Sequence, residues 1–169
     1  MAEAFNDLDL PADRAARYAA VAEEIASVLD GETNLTARMA TVASMLAASF
    51  SSYFWTGFYV VDPAKPNELV VGPYQGTLGC LRIAFGRGVC GAAAATGKTQ
   101  IVPDVHAFPG HIACDSRSAS EIVVPVFDAQ GTLIAVFDVD SEQPAAFDEV
   151  DGQWLETILA ATFSGSTLR

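Results

Sequence analysis

The stretch EIVVPVFDAQGTLIAVFDVD, Glu121 to Asp140, holds two apolar runs separated by Asp128-Ala129-Gln130-Gly131. Turn-forming residues between two β-branched and aromatic runs predict a β-hairpin. A tight turn centred between Ala129 and Gln130 sets Glu121 opposite Asp138. One centred between Gln130 and Gly131 sets Glu121 opposite Asp140, and a loop with an odd number of residues breaks both registers. Asp138 and Asp140 are two residues apart, so on an extended strand they share a face. Like charges facing each other across a ladder are destabilising. Three carboxylates at one end of an apolar hairpin therefore require a chemical reason, although strand-end acids in solvent are common. Crowded together, they repel, and at least one keeps a proton near neutral pH.

Working outward, Gln100–Val102 and a segment around Tyr53–Val61 read as further strands, as do Leu69–Val71 and Cys80–Phe85. Gly72–Gly79 reads as a loop, Gly86–Gly91 as a turn, and Ala92–Ala95 as a short helix ended by Gly97. Two helices precede the strands. One runs from about Pro11 to Leu29, with Ala15, Tyr18, Ala22, Ile25 and Leu29 on its apolar face. The other is capped by Thr33 or Asn34 and faces inward through Leu35, Met39, Val42, Leu46 and Phe50. A last helix starts near Asp148 and buries Trp154, Leu155, Ile158, Leu159 and Thr162. Pro103–Ser118 has no periodicity, and long loops inside compact domains are often functional. This order predicts an α+β domain, with a mostly antiparallel central sheet and helices packed on its faces.

The chain has 169 residues, 51% of them hydrophobic, which suits one domain with a substantial core. Its net charge of −12 argues against nucleic acid or anionic membrane surfaces as partners. Met1–Leu10 carries Glu3, Asp7 and Asp9 and no basic residue, unlike a secretory signal. No stretch is long and apolar enough to span a bilayer. A cytoplasmic protein is expected, in which cysteines are buried or redox-active rather than a disulfide framework.

The three cysteines, Cys80, Cys90 and Cys114, are spaced C-x9-C-x23-C without a CxxC pair, which disfavours a structural zinc site. Cys80 and Cys90, read alone, default to small buried hydrophobes. Cys114 sits in the long loop near His111 and is a candidate for thiolate chemistry. His106 and His111 are the two histidines, so a Cys-His hydrolase is one alternative. Trp55 and Tyr59 share a strand face, as core aromatics or as the wall of a ligand cavity.

Several blocks in order then resemble the free methionine-R-sulfoxide reductases, a family with the GAF fold. They are Trp55-Thr56-Gly57-Phe58-Tyr59, Gly72-Pro73-Tyr74-Gln75-Gly76 followed by Cys80, and Gly86-Arg87-Gly88-Val89-Cys90-Gly91. Asp104-Val105-His106, Gly110-His111-Ile112-Ala113-Cys114-Asp115, Ser120-Glu121-Ile122-Val123-Val124-Pro125 and Asp138-Val139-Asp140-Ser141 continue the match. The resemblance implies a single GAF domain over 1–169, with an N-terminal helix within 1–30 and a core at 33–163. It implies Cys114 as the catalytic cysteine, Cys80 as the resolving cysteine and Cys90 as an auxiliary thiol. Glu121, Asp138 and Asp140 would bind the substrate, Trp55 would pack on its methyl end, and Tyr59 would lie close by.

Such an enzyme reduces the free R-sulfoxide to methionine through a sulfenic acid and a disulfide. Thioredoxin recycles it, and it needs no metal or bound cofactor. A homodimer is the common assembly in the family. The alternative function is a non-catalytic GAF domain that senses a small molecule, since fold alone does not settle function.

Overall fold

The structure is a computed structural model that describes residues 10–112, 114–166 and 168. The acidic Met1–Asp9 segment lies outside the described residues. Among the described residues, four α-helices flank one six-stranded sheet: α1 is Arg14–Val28, α2 Leu35–Ser49, α3 Gly88–Thr96 and α4 Glu149–Leu159. The strands are β1 Trp55–Asp62, β2 Lys65–Gln75, β3 Arg82–Ala84, β4 Gln100–Val102, β5 Ser120–Phe127 and β6 Leu133–Ser141. They lie in the order β3-β2-β1-β6-β5-β4, and every neighbouring pair is antiparallel.

Alternation along the strands divides the interior in two. Phe58 on β1, Ile122, Val124 and Val126 on β5, and Ala135, Phe137 and Val139 on β6 face α1, α2 and α4 and form the larger core. Trp55, Tyr59, Val123 and Val136 face the other way, toward α3 and the long loops, with Cys90 among them. Because both faces of β5 are covered, seven of its eight residues are buried, and the strand reads as a continuous apolar run. The helical side is tied by a buried polar network: Tyr18 and Arg14 of α1 donate to Asp151 of α4, each at 2.8 Å.

Several boundaries differ from the sequence reading for local reasons. α1 starts after Asp13 rather than at Pro11, because the Asp13 carboxylate accepts the Ala16 amide at 2.9 Å. Asn34, not Thr33, caps α2, and Leu35 is exposed rather than part of its inner face. β2 runs through Gly72-Pro73 to Gln75, where a loop was expected. A bulge makes this possible: Gly57 pairs with Tyr74 and Tyr59 with Val71, so Gly72 and Pro73 sit where the ladder is interrupted. β3 is shorter than expected, and Cys80 precedes it. α3 begins at Gly88, not Ala92; the glycines of 86–91 masked its first turn, which contains Cys90. Gly97 ends it at φ 65°, as expected. Trp154 and Thr162 are only partly buried, and residues 105–107 form a 3-10 turn inside the long loop.

Candidate active site

In the β5–β6 hairpin Glu121 pairs with Asp140, and Val123 with Asp138, but neither expected turn centre produces this: Phe127 faces Leu133 across a loop centred on Gln130, and a bulge at Ile134 shifts the rest of the ladder by one residue. Across β6, Asp140 pairs with Trp55 and Asp138 with Gly57 of β1. Trp55, Asp140 and Glu121 thus form one row across three strands, on the sheet face opposite the large core. Asp138 occupies the next row on that face.

These residues line a cleft together with Tyr59, Cys90, His111 and Cys114. The geometry therefore brings together every residue that the sequence singled out for the site except His106 and Cys80. His106 is exposed and does not line the cleft. Cys80 stands at the rim, in a disulfide with Cys114 at a Cα–Cα distance of 5.5 Å.

Two loops form the roof, and three contacts hold them. The Trp55 indole N–H donates to the Thr77 carbonyl at 2.9 Å, and the Thr77 hydroxyl donates to Asp115 at 2.8 Å. The Cys80–Cys114 disulfide joins the same two loops. Gly79 is needed at the contact with the aromatic wall: a Cβ there would stand 3.0 Å from both the Trp55 ring and the Tyr59 hydroxyl. Trp55 is stacked between Tyr59 and Tyr74, with ring centroids 5.5 and 4.9 Å away. The wall is therefore a preset aromatic slab. Arg117 anchors the far side, donating to Asp115 at 2.9 Å and lying 4.5 Å over the Phe54 ring.

The floor is acidic and nearly dry. Glu121 and Asp138 are 5% and 4% exposed, and Asp138 Oδ1 has no hydrogen-bond partner. Burial, then the neighbouring Asp140, pushes the Glu121 carboxyl well above the usual range. Burial and the two neighbouring acids do the same to Asp138. Asp140, at the mouth of the cluster, is pushed up to about 6, mainly by burial. Such a cluster holds protons at neutral pH and can donate them. The Cys90 thiol lies 4.0 Å from Glu121 Oε1; burial and these acids push its own pKa up, so it stays protonated. Cys90 is buried and unpaired, outside the Cys80–Cys114 disulfide.

Sequence reasoning missed three features of the site. His111 Nε2 lies 3.7 Å from Glu121 Oε2, which joins the histidine to the acid cluster rather than to a hydrolase dyad. Ser118 bonds the Asp140 carboxyl and lowers its pKa against the effect of burial. Arg87, before α3, is the one Arg or Lys among the described residues lining the cleft. Only the Gly-Arg-Gly punctuation at 86–88 could have pointed to it.

One face of this sheet thus carries an aromatic slab, a buried acid cluster and a disulfide-bonded cysteine pair. Residues 31–162 match the GAF domain family, and the chain belongs to it. Its relatives place it among the free methionine-R-sulfoxide reductases of that family. It is 43% identical over 133 residues to the free methionine-R-sulfoxide reductase of Saccharomyces cerevisiae, covering 76% of this chain and 74% of the relative. The solved structure of the free methionine-R-sulfoxide reductase from Neisseria meningitidis in complex with its substrate is 48% identical, with a TM-score of 0.86. That match covers 92% of this chain and 90% of the other. GAF domain-containing protein A of Dictyostelium discoideum is 50% identical over 143 residues, covering 85% of this chain and 88% of the relative.

Proposed function

We propose that the protein reduces free L-methionine-(R)-sulfoxide to methionine, with Cys114 as nucleophile. The observation that carries this reading is the disulfide between Cys80 and Cys114 at the rim of a cleft floored by Glu121 and Asp138. The likeness to reductases of that name supports the substrate and the R epimer.

In this reading the ammonium group of the substrate pairs with the ionised carboxylate at the cleft mouth, and the methyl end packs on Trp55. Arg87 and the backbone amides of the 103–114 loop are the donors available to its carboxylate. A sulfoxide sulfur becomes electrophilic when its oxygen is protonated, and the acid cluster holds the proton for that step. The Cys114 thiolate attacks sulfur, the oxygen passes to Cys114 as a sulfenic acid, and methionine leaves. The Cys80 thiol then attacks the sulfenic sulfur, releasing water and forming the disulfide. A dithiol protein such as thioredoxin reduces that disulfide by exchange, without a metal or bound cofactor. Cys90 assists as a reserve thiol. The protein works in the cytoplasm as a homodimer, a reading supported by the family resemblance. Among the described residues, no helix is long and apolar enough to cross a membrane.

The sensor alternative predicts ligand binding that ignores the cysteines. The test is NADPH consumption with thioredoxin and its reductase, offering the free R epimer, the free S epimer and a peptide-bound sulfoxide. Turnover of the free R epimer alone supports the proposal. No turnover by folded, reduced protein overturns it in favour of the sensor.

A further inference from the structure

Cys90, Glu121 and Asp138 come from three different elements, α3, β5 and β6, yet their ligand atoms converge. One sulfur and one oxygen from each carboxylate lie within 4.8 Å of one another, and all three residues are buried. Ligand atoms around a tetrahedral zinc stand about 3.4–3.8 Å apart, so small side-chain rotations close the set. Asp138 Oδ1 is a buried acceptor without a hydrogen-bond partner, which leaves one coordination atom unused. His111 Nε2, a further donor atom in the cleft, lies 3.7 Å from Glu121 Oε2. The carrying elements are packed strands and a helix, so the set is preorganised rather than assembled on mobile loops. Access is available, because all three residues line the cleft.

We infer that Cys90, Glu121 and Asp138 form a binding site for a thiophilic divalent cation of the zinc class, located inside the cleft and mutually exclusive with the sulfoxide. The exclusivity rests on the proposed function; the metal site itself does not. A thiolate among carboxylates selects zinc or cobalt over magnesium and calcium, which prefer oxygen alone. Buried acids without a cation keep their protons. The metal replaces those protons: the Cys90 S–H proton and a carboxyl proton leave as the ion enters, and its two positive charges neutralise the cluster. The consequence is reversible inhibition that needs no oxidation of any thiol.

The disulfide form gives a clean test, because Cys80 and Cys114 are paired there and Cys90 is the free thiol that remains. Cobalt(II) is titrated into this form and the near-ultraviolet thiolate-to-cobalt absorption is followed. The expected result is a band that saturates at one cobalt per chain and is erased by zinc. It is absent in Cys90→Ser, and the apparent affinity falls roughly tenfold or more in Asp138→Asn. A folded wild-type protein without the band overturns the site, as does a band that persists in Cys90→Ser. Adding free methionine-R-sulfoxide separates the two claims. Loss of the band with added sulfoxide supports exclusivity; a band unchanged at saturating sulfoxide leaves the metal site standing and overturns the sharing of the cleft.

Discussion

Glu121 and Asp140 stand opposite each other on β5 and β6, two carboxylates on one rung of a buried ladder, with Trp55 next to Asp140 in the same row. A rung of this kind opposes folding unless protons or a cation neutralise it. The sheet tolerates it because burial and mutual repulsion raise the carboxyl pKa values and so keep protons on the cluster.

This arrangement makes stability depend on pH in a definite direction. The folded-state pKa values of Glu121, Asp138 and Asp140 are raised, the last to about 6. Their contribution is therefore fully present below about pH 4, the unfolded carboxyl value, and is lost as pH rises through the folded values. Asp138→Asn removes one of these ionisations. The variant should melt several degrees above the wild type at pH 8, at ~2–4 °C per kcal/mol for a chain of this size. The gain should vanish near pH 4. Thermal scans of ligand-free protein across that range check it, and a pH-independent difference contradicts it.

Glu121→Gln keeps the shape of the floor and removes a proton donor. If the cluster protonates the sulfoxide, kcat falls roughly 10²–10⁴-fold and KM rises in the same variant. Steady-state kinetics with a thioredoxin-coupled assay measure both. Normal turnover removes Glu121 from the chemistry.

Cys114→Ser should abolish turnover while the circular dichroism spectrum is retained, since Cys114 is exposed and its side chain fills no core position. Cys80→Ser should release one equivalent of methionine and then stall with thioredoxin. Rapid-quench measurement of methionine separates the two. A second slow turnover in Cys80→Ser that disappears in Cys80→Ser/Cys90→Ser would mark Cys90 as the reserve thiol.

Gly57 pairs with Asp138, and a Cβ at residue 57 would lie 2.2 Å from Tyr74 Cβ across the bulge. Both clashing atoms sit on strand backbones, so neither can swing away. Gly57→Ala should cost on the order of 1–3 kcal/mol in urea unfolding and should displace Tyr74 from the Trp55 stack. Indole fluorescence reports the second effect.

Much of this was legible in the sequence, and the reason lies in periodicity. Glu121, Asp138 and Asp140 interrupt two apolar runs of period two, so their convergence could be computed from the strand register alone. The exact register could not, because it depends on an odd loop and a bulge at Ile134 that no residue of this segment announces. The turn, in which the Asp128 carboxylate accepts from the Gln130 and Thr132 amides at 2.9 Å, is centred on Gln130, and the bulge at Ile134 then sets Glu121 opposite Asp140. What lay beyond reach was made by tertiary packing. Nothing in the spacing of Thr77 and Asp115, or of His111 and Glu121, announces that they meet. Cys90 is the sharpest case. The cysteine spacing holds no paired metal motif, and the set that converges around Cys90 takes one ligand each from a helix and two strands.

The Cys80–Cys114 bond closes a ring across a sequence separation of 34 residues. Closing a ring of that size lowers the entropy of the unfolded chain by an amount worth about 4 kcal/mol. In the proposed reaction cycle, which makes and breaks this bond, each turnover therefore switches the fold between a more stable and a less stable state. In such a cycle a shortage of reducing equivalents collects the population in the disulfide form, which unfolds less readily than its reduced counterpart. The idle protein is thereby kept in its more durable form until electrons arrive.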